Sequence, residues 1–135
     1  MLFVMPEPCV PKTSSAKTAR FSAKLLFQFR IVDDGKPGVM RLCEERIVVL
    51  RAATSRKALT MAKRRGKRAE HSYRNDHGGM VHFEFVGILD LLHLGVECEE
   101  DEVWYDIAQR KLPMERATVI LPPEHELNAI RNSPV

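Results

Sequence analysis

Ala23-Lys-Leu-Leu-Phe-Gln-Phe-Arg-Ile-Val32 decides how this chain is read. In an extended backbone Leu25, Phe27, Phe29 and Ile31 fall on one side, and Lys24, Gln28 and Arg30 on the other, with Leu26 as the exception. Strand side chains alternate between faces, so residues 23–32 are predicted to form a strand in a sheet with one buried face. The following Asp33-Asp-Gly-Lys-Pro-Gly38 is rich in turn residues, and Asp-Gly suits the positive φ of a hairpin turn. The return strand is predicted over residues 42–52, where Ile47-Val48-Val49 favours extended backbone. Its looser alternation predicts a bulge near Glu44-Glu45.

Periodicity then changes from two to 3.6, which predicts a helix over residues 55–73. Thr54 or Ser55 can cap it by accepting from an unpaired N–H of the first turn. Ala58, Leu59, Met61, Ala62, Gly66, Ala69 and Tyr73 share one arc, and Arg56, Lys57, Lys63, Arg64, Lys67 and Arg68 fill the opposite one. The helix is thus amphipathic, with a face of mostly small residues suited to lying close on a sheet. Gly66 costs about 1 kcal/mol against Ala in mid-helix, and close backbone packing would account for it.

Asn75-Asp-His-Gly-Gly79 ends the helix, and residues 80–86 read as a third strand. There Val81, Phe83 and Phe85 point inward, while His82 and Glu84 point the other way; Gly87 is positioned to bend or bulge the strand. Residues 88–94 fit strand continuation or a helical turn equally well. A fourth strand is predicted over 103–108 from the alternation of Val103, Tyr105 and Ile107. Residues 117–121 read as a short extra strand and 123–131 as a short helix opening on proline. The fold expected is α+β, a mainly antiparallel four-stranded sheet in the order β-β-α-β-β with one amphipathic helix packed on one face. Residues 1–20 form a flexible N-terminal tail in this reading, 21–112 the domain, and 113–135 a C-terminal extension.

The 135 residues, 44% of them hydrophobic and 29% charged, suit one ordinary core. The apolar start, residues 1–5, is cut off by Pro6, is too short for a secretory signal and follows no basic residue, so a cytoplasmic location is expected. Cys9, Cys43 and Cys98 include no Cys-x-x-Cys; reduced thiols are expected, with Cys43 packed in its strand, and no metal or cofactor. The net charge of +3 is unevenly spread. No acidic residue lies between Arg46 and Glu70, whereas Glu97, Glu99, Glu100, Asp101 and Glu102 crowd one short segment.

The phrases at residues 23–30, Cys43-Glu-Glu-Arg-Ile-Val-Val-Leu-Arg-Ala52, Phe83-Glu-Phe-Val-Gly-Ile-Leu-Asp-Leu-Leu92 and Glu102-Val-Trp-Tyr105 together resemble the bacterial domain-of-unknown-function family numbered 4288. The likeness covers about residues 22–110. It implies a compact α+β domain and carries over no catalytic residue. Helices of that family after the Arg-Ala phrase are rich in Glu as well as Lys, whereas this one is nearly all basic.

Three functional expectations follow. The leading one is a non-enzymatic interaction or accessory domain, self-associating or bound to a protein partner through a half-polar sheet face that includes Leu26, Val86 and Trp104. The second is weak nucleic-acid binding through Arg56, Lys57, Lys63, Arg64, Lys67 and Arg68, a row of cations suited to phosphates but lacking stacking aromatics for single strands. The bland alternative pairs those cations with the acidic 97–102 segment or leaves them solvated. The third is a small hydrolase or metal enzyme using His82 and Glu84. The Pro-Cys-x-x-Cys that completes a zinc deaminase, a nucleophile elbow and a phosphate loop are all missing.

Overall fold

The computed structural model describes residues 17–32, 39–99 and 101–132. The chain divides at Tyr105/Asp106 into two units. In the first, β1 spans Ala19–Val32, β2 Leu42–Ala52, α1 Ser55–Ala69, β3 His71–Arg74 and β4 Met80–His93. The pairings among these four strands are all antiparallel, and the strand order across the sheet is β2-β1-β4-β3. The expected architecture is therefore present: four antiparallel strands in the order β-β-α-β-β, with one helix on one face.

β1 is central because it carries the most regular apolar alternation. Phe21, Ala23, Leu25 and Phe27 are buried on its α1 side. Ala23 lies opposite Val48, and Phe29 opposite Phe83. The Phe27 ring stacks on Phe83 at 4.6 Å between centroids. Burying one such ring contributes roughly 1.5–3 kcal/mol. From above, α1 lays Ala58, Ala62 and Gly66 on this layer, all three buried. A side chain at Gly66 would overlap the Phe85 ring, so the glycine sets how closely the helix lies. Thr54 is the cap: its Oγ1 accepts from the Lys57 N–H at 3.1 Å.

Several elements differ from expectation for identifiable reasons. α1 ends at Ala69, because Glu70 takes φ −62° and ψ 138° and starts the chain on an extended path. The third strand is accordingly His71–Arg74, and the one expected third becomes the fourth, continuing to His93. Residues 103–108 form no strand; they alternate in pattern, but none of them pairs with a named strand. The β1–β2 register runs without a break past Glu44 and Glu45. The irregularity lies in β4, where Gly87 opposes Leu26 but Phe85 opposes Phe27, and Ile88 opposes Leu25 but Asp90 opposes Lys24. Val86 and Leu89 are thus extra residues, and two of them restore the original facing of the strand. Cys43 is exposed rather than packed, since it sits opposite Gln28 on the polar side of the edge strand β2. The expected turn at 33–38 and nearly all of the N-terminal tail lie outside the described residues.

After β4 the chain turns at Gly95, whose φ of 84° suits a residue without Cβ. Leu92, Leu94 and Cys98 form a small buried cluster with Trp104 packed against it. Leu92 lies opposite Ser22, so this cluster covers one end of the sheet face away from α1. The second unit holds α2 (Ala117–Ile120), a single 3-10 turn at Glu124–Glu126 and α3 (Asn128–Arg131). The segment 117–120, with its β-branched Thr118-Val119-Ile120, is helical here, not extended, and none of these three short elements has a buried residue.

Candidate nucleic-acid interface

The helix positions its cations through the same spacing that buries its small residues. Successive residues turn by about 100° around the axis. With Ala58, Ala62 and Gly66 against the sheet, Arg56, Lys57, Lys63, Arg64, Lys67 and Arg68 are all exposed. Arg65 is exposed as well, and with Leu50, Met61, Arg64 and Arg68 it lines a shallow concavity where the helix flank meets the sheet. The sequence reading left Arg65 out of the basic arc because it projects toward that flank.

Almost nothing neutralises this surface. Among the described residues the one ion pair to the helix is Lys67 Nζ to Glu70 Oε1 at 3.4 Å. The other oxygen of Glu70 accepts the Phe85 N–H at 2.9 Å. Among the described residues of the acidic segment after β4, none forms an ion pair with the helix. Glu97 accepts from the His93 N–H, and Glu102 accepts from the Glu99 N–H. Thr60 is exposed between the cations, and its hydroxyl donates to the Arg56 carbonyl one turn back.

The face of the sheet opposite the helix has a different character. Arg30 grips Glu84 with two hydrogen bonds, Nη2–Oε2 at 2.7 Å and Nε–Oε1 at 3.0 Å. Gln28 Nε2 donates to the same carboxylate at 2.9 Å, and Arg41 donates to Gln28 Oε1 at 3.0 Å. Ser72 Oγ and His82 Nδ1 share a hydrogen bond of 2.7 Å. The register makes this network possible, since Gln28 lies opposite Glu84, and His82 lies opposite both Arg30 and Ser72. The Arg30 bonds, then that from Gln28, hold the Glu84 carboxyl at a pKa of about 2, and Arg30 is raised in turn. Glu84 is therefore an ionised structural acceptor with both oxygens engaged, which leaves it little basicity for proton abstraction.

Leu26, Val86 and Trp104 also come to this side. Leu26 is half-buried opposite Gly87, beside the bulge that exposes Val86. Trp104 lies under Lys24, whose Nζ is 5.4 Å from the ring centroid. Other described His and Glu side chains of the sheet are engaged separately. His71 contacts Tyr73 and Phe83, and His93 stacks on Phe21. Glu44 pairs with Arg46, and Glu45 with Lys24. Among the described residues no three His, Cys, Asp or Glu side chains gather as a metal site. No described helix is long and apolar enough to cross a membrane.

The sheet and its helix coincide with a known sequence family. The model of a family described as "Domain of unknown function (DUF4288)" matches residues 20–103. The chain belongs to the DUF4288 family. No curated protein and no solved structure matches it. The DUF4288 match takes in nearly all of β1, the whole of the other three strands and α1 with all its cations, and it stops one residue before Trp104.

Proposed function

We propose that this DUF4288 domain is a non-catalytic binding module whose cationic helix holds nucleic acid by its phosphates. One observation carries the reading: seven exposed Lys and Arg side chains on α1 share a single ion pair among the described residues. Unpaired cations on a rigid helix gain by exchanging water and mobile anions for phosphates. Among the described residues Cys43 and Cys98 form no disulfide, which fits action in a reducing compartment, here taken as the bacterial cytoplasm. Titration of the full chain into labelled nucleic acid of mixed sequence tests the reading by fluorescence anisotropy. With about six phosphates neutralised, affinity falls roughly a thousandfold between 50 and 200 mM salt. Combined Lys63→Glu, Arg64→Glu, Lys67→Glu and Arg68→Glu changes abolish binding. An intact protein that retains neither duplex nor single strand at low salt overturns the proposal.

A second reading, association through the opposite sheet face, is favoured by the exposed apolar side chains Ile47, Val49 and Val86 beside the half-buried Leu26 and Trp104. β2 is an edge strand, and edge strands pair readily with a second copy. Sedimentation of the full chain distinguishes the cases. A dimer that Val86→Asp dissociates supports self-association, and a strict monomer at the highest soluble concentration removes it.

A further inference from the structure

The cations of α1 are arranged as well as numerous. Arg56, Lys63 and Lys67 are seven and then four residues apart, and so are Lys57, Arg64 and Arg68. Intervals of seven and four bring a side chain back to nearly the same bearing, so each trio forms a row along the helix. Each row extends over roughly 16 Å, and the two are about 100° apart around the axis. Ala62 marks the direction into the sheet. The bearing midway between the rows is within about 10° of directly opposite Ala62, and Thr60 lies on it. The outward ridge of the helix is thus nearly uncharged and flanked on each side by three cations.

From this arrangement, and resting on the nucleic-acid reading above, we infer that α1 lies lengthwise in the major groove of B-form DNA, each row addressing one of the two phosphate walls. That groove is about 12 Å wide, and a helix with its side chains is about 10–12 Å across. The long stems of Lys and Arg splay outward from the two rows while the ridge enters the groove. Thr60, whose hydroxyl is already donated to Arg56, is the main side chain presented to the base edges, so binding is independent of sequence. The major groove of RNA duplexes is too narrow and deep for the same fit. A single strand has no second wall, and the six row positions include no aromatic side chain on which its bases would stack.

The test compares a DNA duplex, the RNA duplex of the same sequence and the single DNA strand at matched salt, using the full chain. The DNA duplex is expected to bind at least tenfold tighter than either of the others. DNA carrying bulky groups in its major groove loses that advantage, whereas a saturating minor-groove ligand does not remove it. Replacing either row with alanines (R56A/K63A/K67A or K57A/R64A/R68A) lowers the salt slope by roughly half, because each row contributes about three phosphate contacts. Alanine is the best helix former, and circular dichroism verifies that α1 persists in both variants. Equal affinity for single strands or RNA duplexes overturns the groove geometry while leaving the broader reading intact. One row accounting for the whole slope overturns it as well. Failure to bind any of the three nucleic acids removes both.

Discussion

The two faces of the sheet are made by the same strand and solve opposite problems. Along β1, every second residue from Phe21 to Phe27 is buried beneath α1. On the other side Leu26, Gln28 and Arg30 are half-buried. There order comes from directed bonds, with Arg30 and Gln28 fixed on Glu84. The helix face is held by apolar area and shape, terms that pH and salt hardly affect. The opposite face is held by ionised partners, which respond to both. This contrast teaches that one strand can anchor a dry core and an electrostatic network within a single residue of each other.

The contrast is broken most severely from the dry side. Phe27 is fully buried, stacked on Phe83 and tilted against Phe85 at 5.6 Å, with the Arg46 guanidinium 4.8 Å from its ring centroid. Phe27→Ala removes this shared contact and is expected to cost about 3–5 kcal/mol. Urea unfolding measures it, and a loss under 1 kcal/mol would show that the aromatic layer is not the main source of stability.

A smaller effect is expected at the seam between helix and sheet. On propensity alone, Gly66→Ala should stabilise α1 by about 1 kcal/mol. The added methyl meets the Phe85 ring well inside van der Waals contact, and Phe85 is itself partly buried against the core. Overpacking of this kind typically costs 1–3 kcal/mol, so the net change is expected to be destabilising by about 1 kcal/mol. A higher melting temperature in the variant would mean that the helix rides further from the sheet.

On the polar face the effect is smaller again and depends on pH. Glu84 has a folded-state pKa of about 2, below its ordinary 4.5. It therefore adds stability that is complete above pH 4.5 and is lost as pH falls through about 2. The side chain is 31% exposed, and screening reduces the contribution to about 1 kcal/mol. Stability curves of the wild type and Glu84→Gln, measured from neutral pH downward, should converge at the acid end. Curves that stay parallel would show that the Arg30 pair contributes nothing.

The legibility of these regions from sequence follows the same division. The helix-side face was readable because burial imposes period two on β1 and the inward residues of β4, and period 3.6 on α1. β3 was not, because four residues are too few to show a period and Tyr73 falls where the helical arc would continue. Residues 88–93 were ambiguous because Val86 and Leu89 each insert one residue and scramble the alternation while the ladder continues. Residues 103–108 misled in the opposite way, since alternation describes a strand only when a partner supplies the ladder. Six of the seven exposed cations of α1 were legible as one arc, and Arg65, on the helix flank, was not among them. That the seven share a single ion pair among the described residues was not legible, because it depends on where carboxylates such as those of Glu97 and Glu102 are directed.

The finest test of the comparison lies at Ser22, at the margin between the two regimes. It is fully buried on the polar-side register, between Val49 on β2 and Leu92 on β4, yet among the described residues its hydroxyl finds no partner. A buried hydroxyl without a hydrogen bond has lost its water and gained nothing, a penalty of about 1–3 kcal/mol. Ser22→Ala removes the oxygen while giving up very little volume. The two effects nearly offset, with the hydroxyl penalty the larger, so a gain of about 0.5 kcal/mol is expected from denaturant midpoints. A clear loss of stability would show that the Ser22 hydroxyl is satisfied in solution. The Leu92, Leu94 and Cys98 end of the sheet would then belong with the hydrogen-bonded half of the molecule and not with the apolar one.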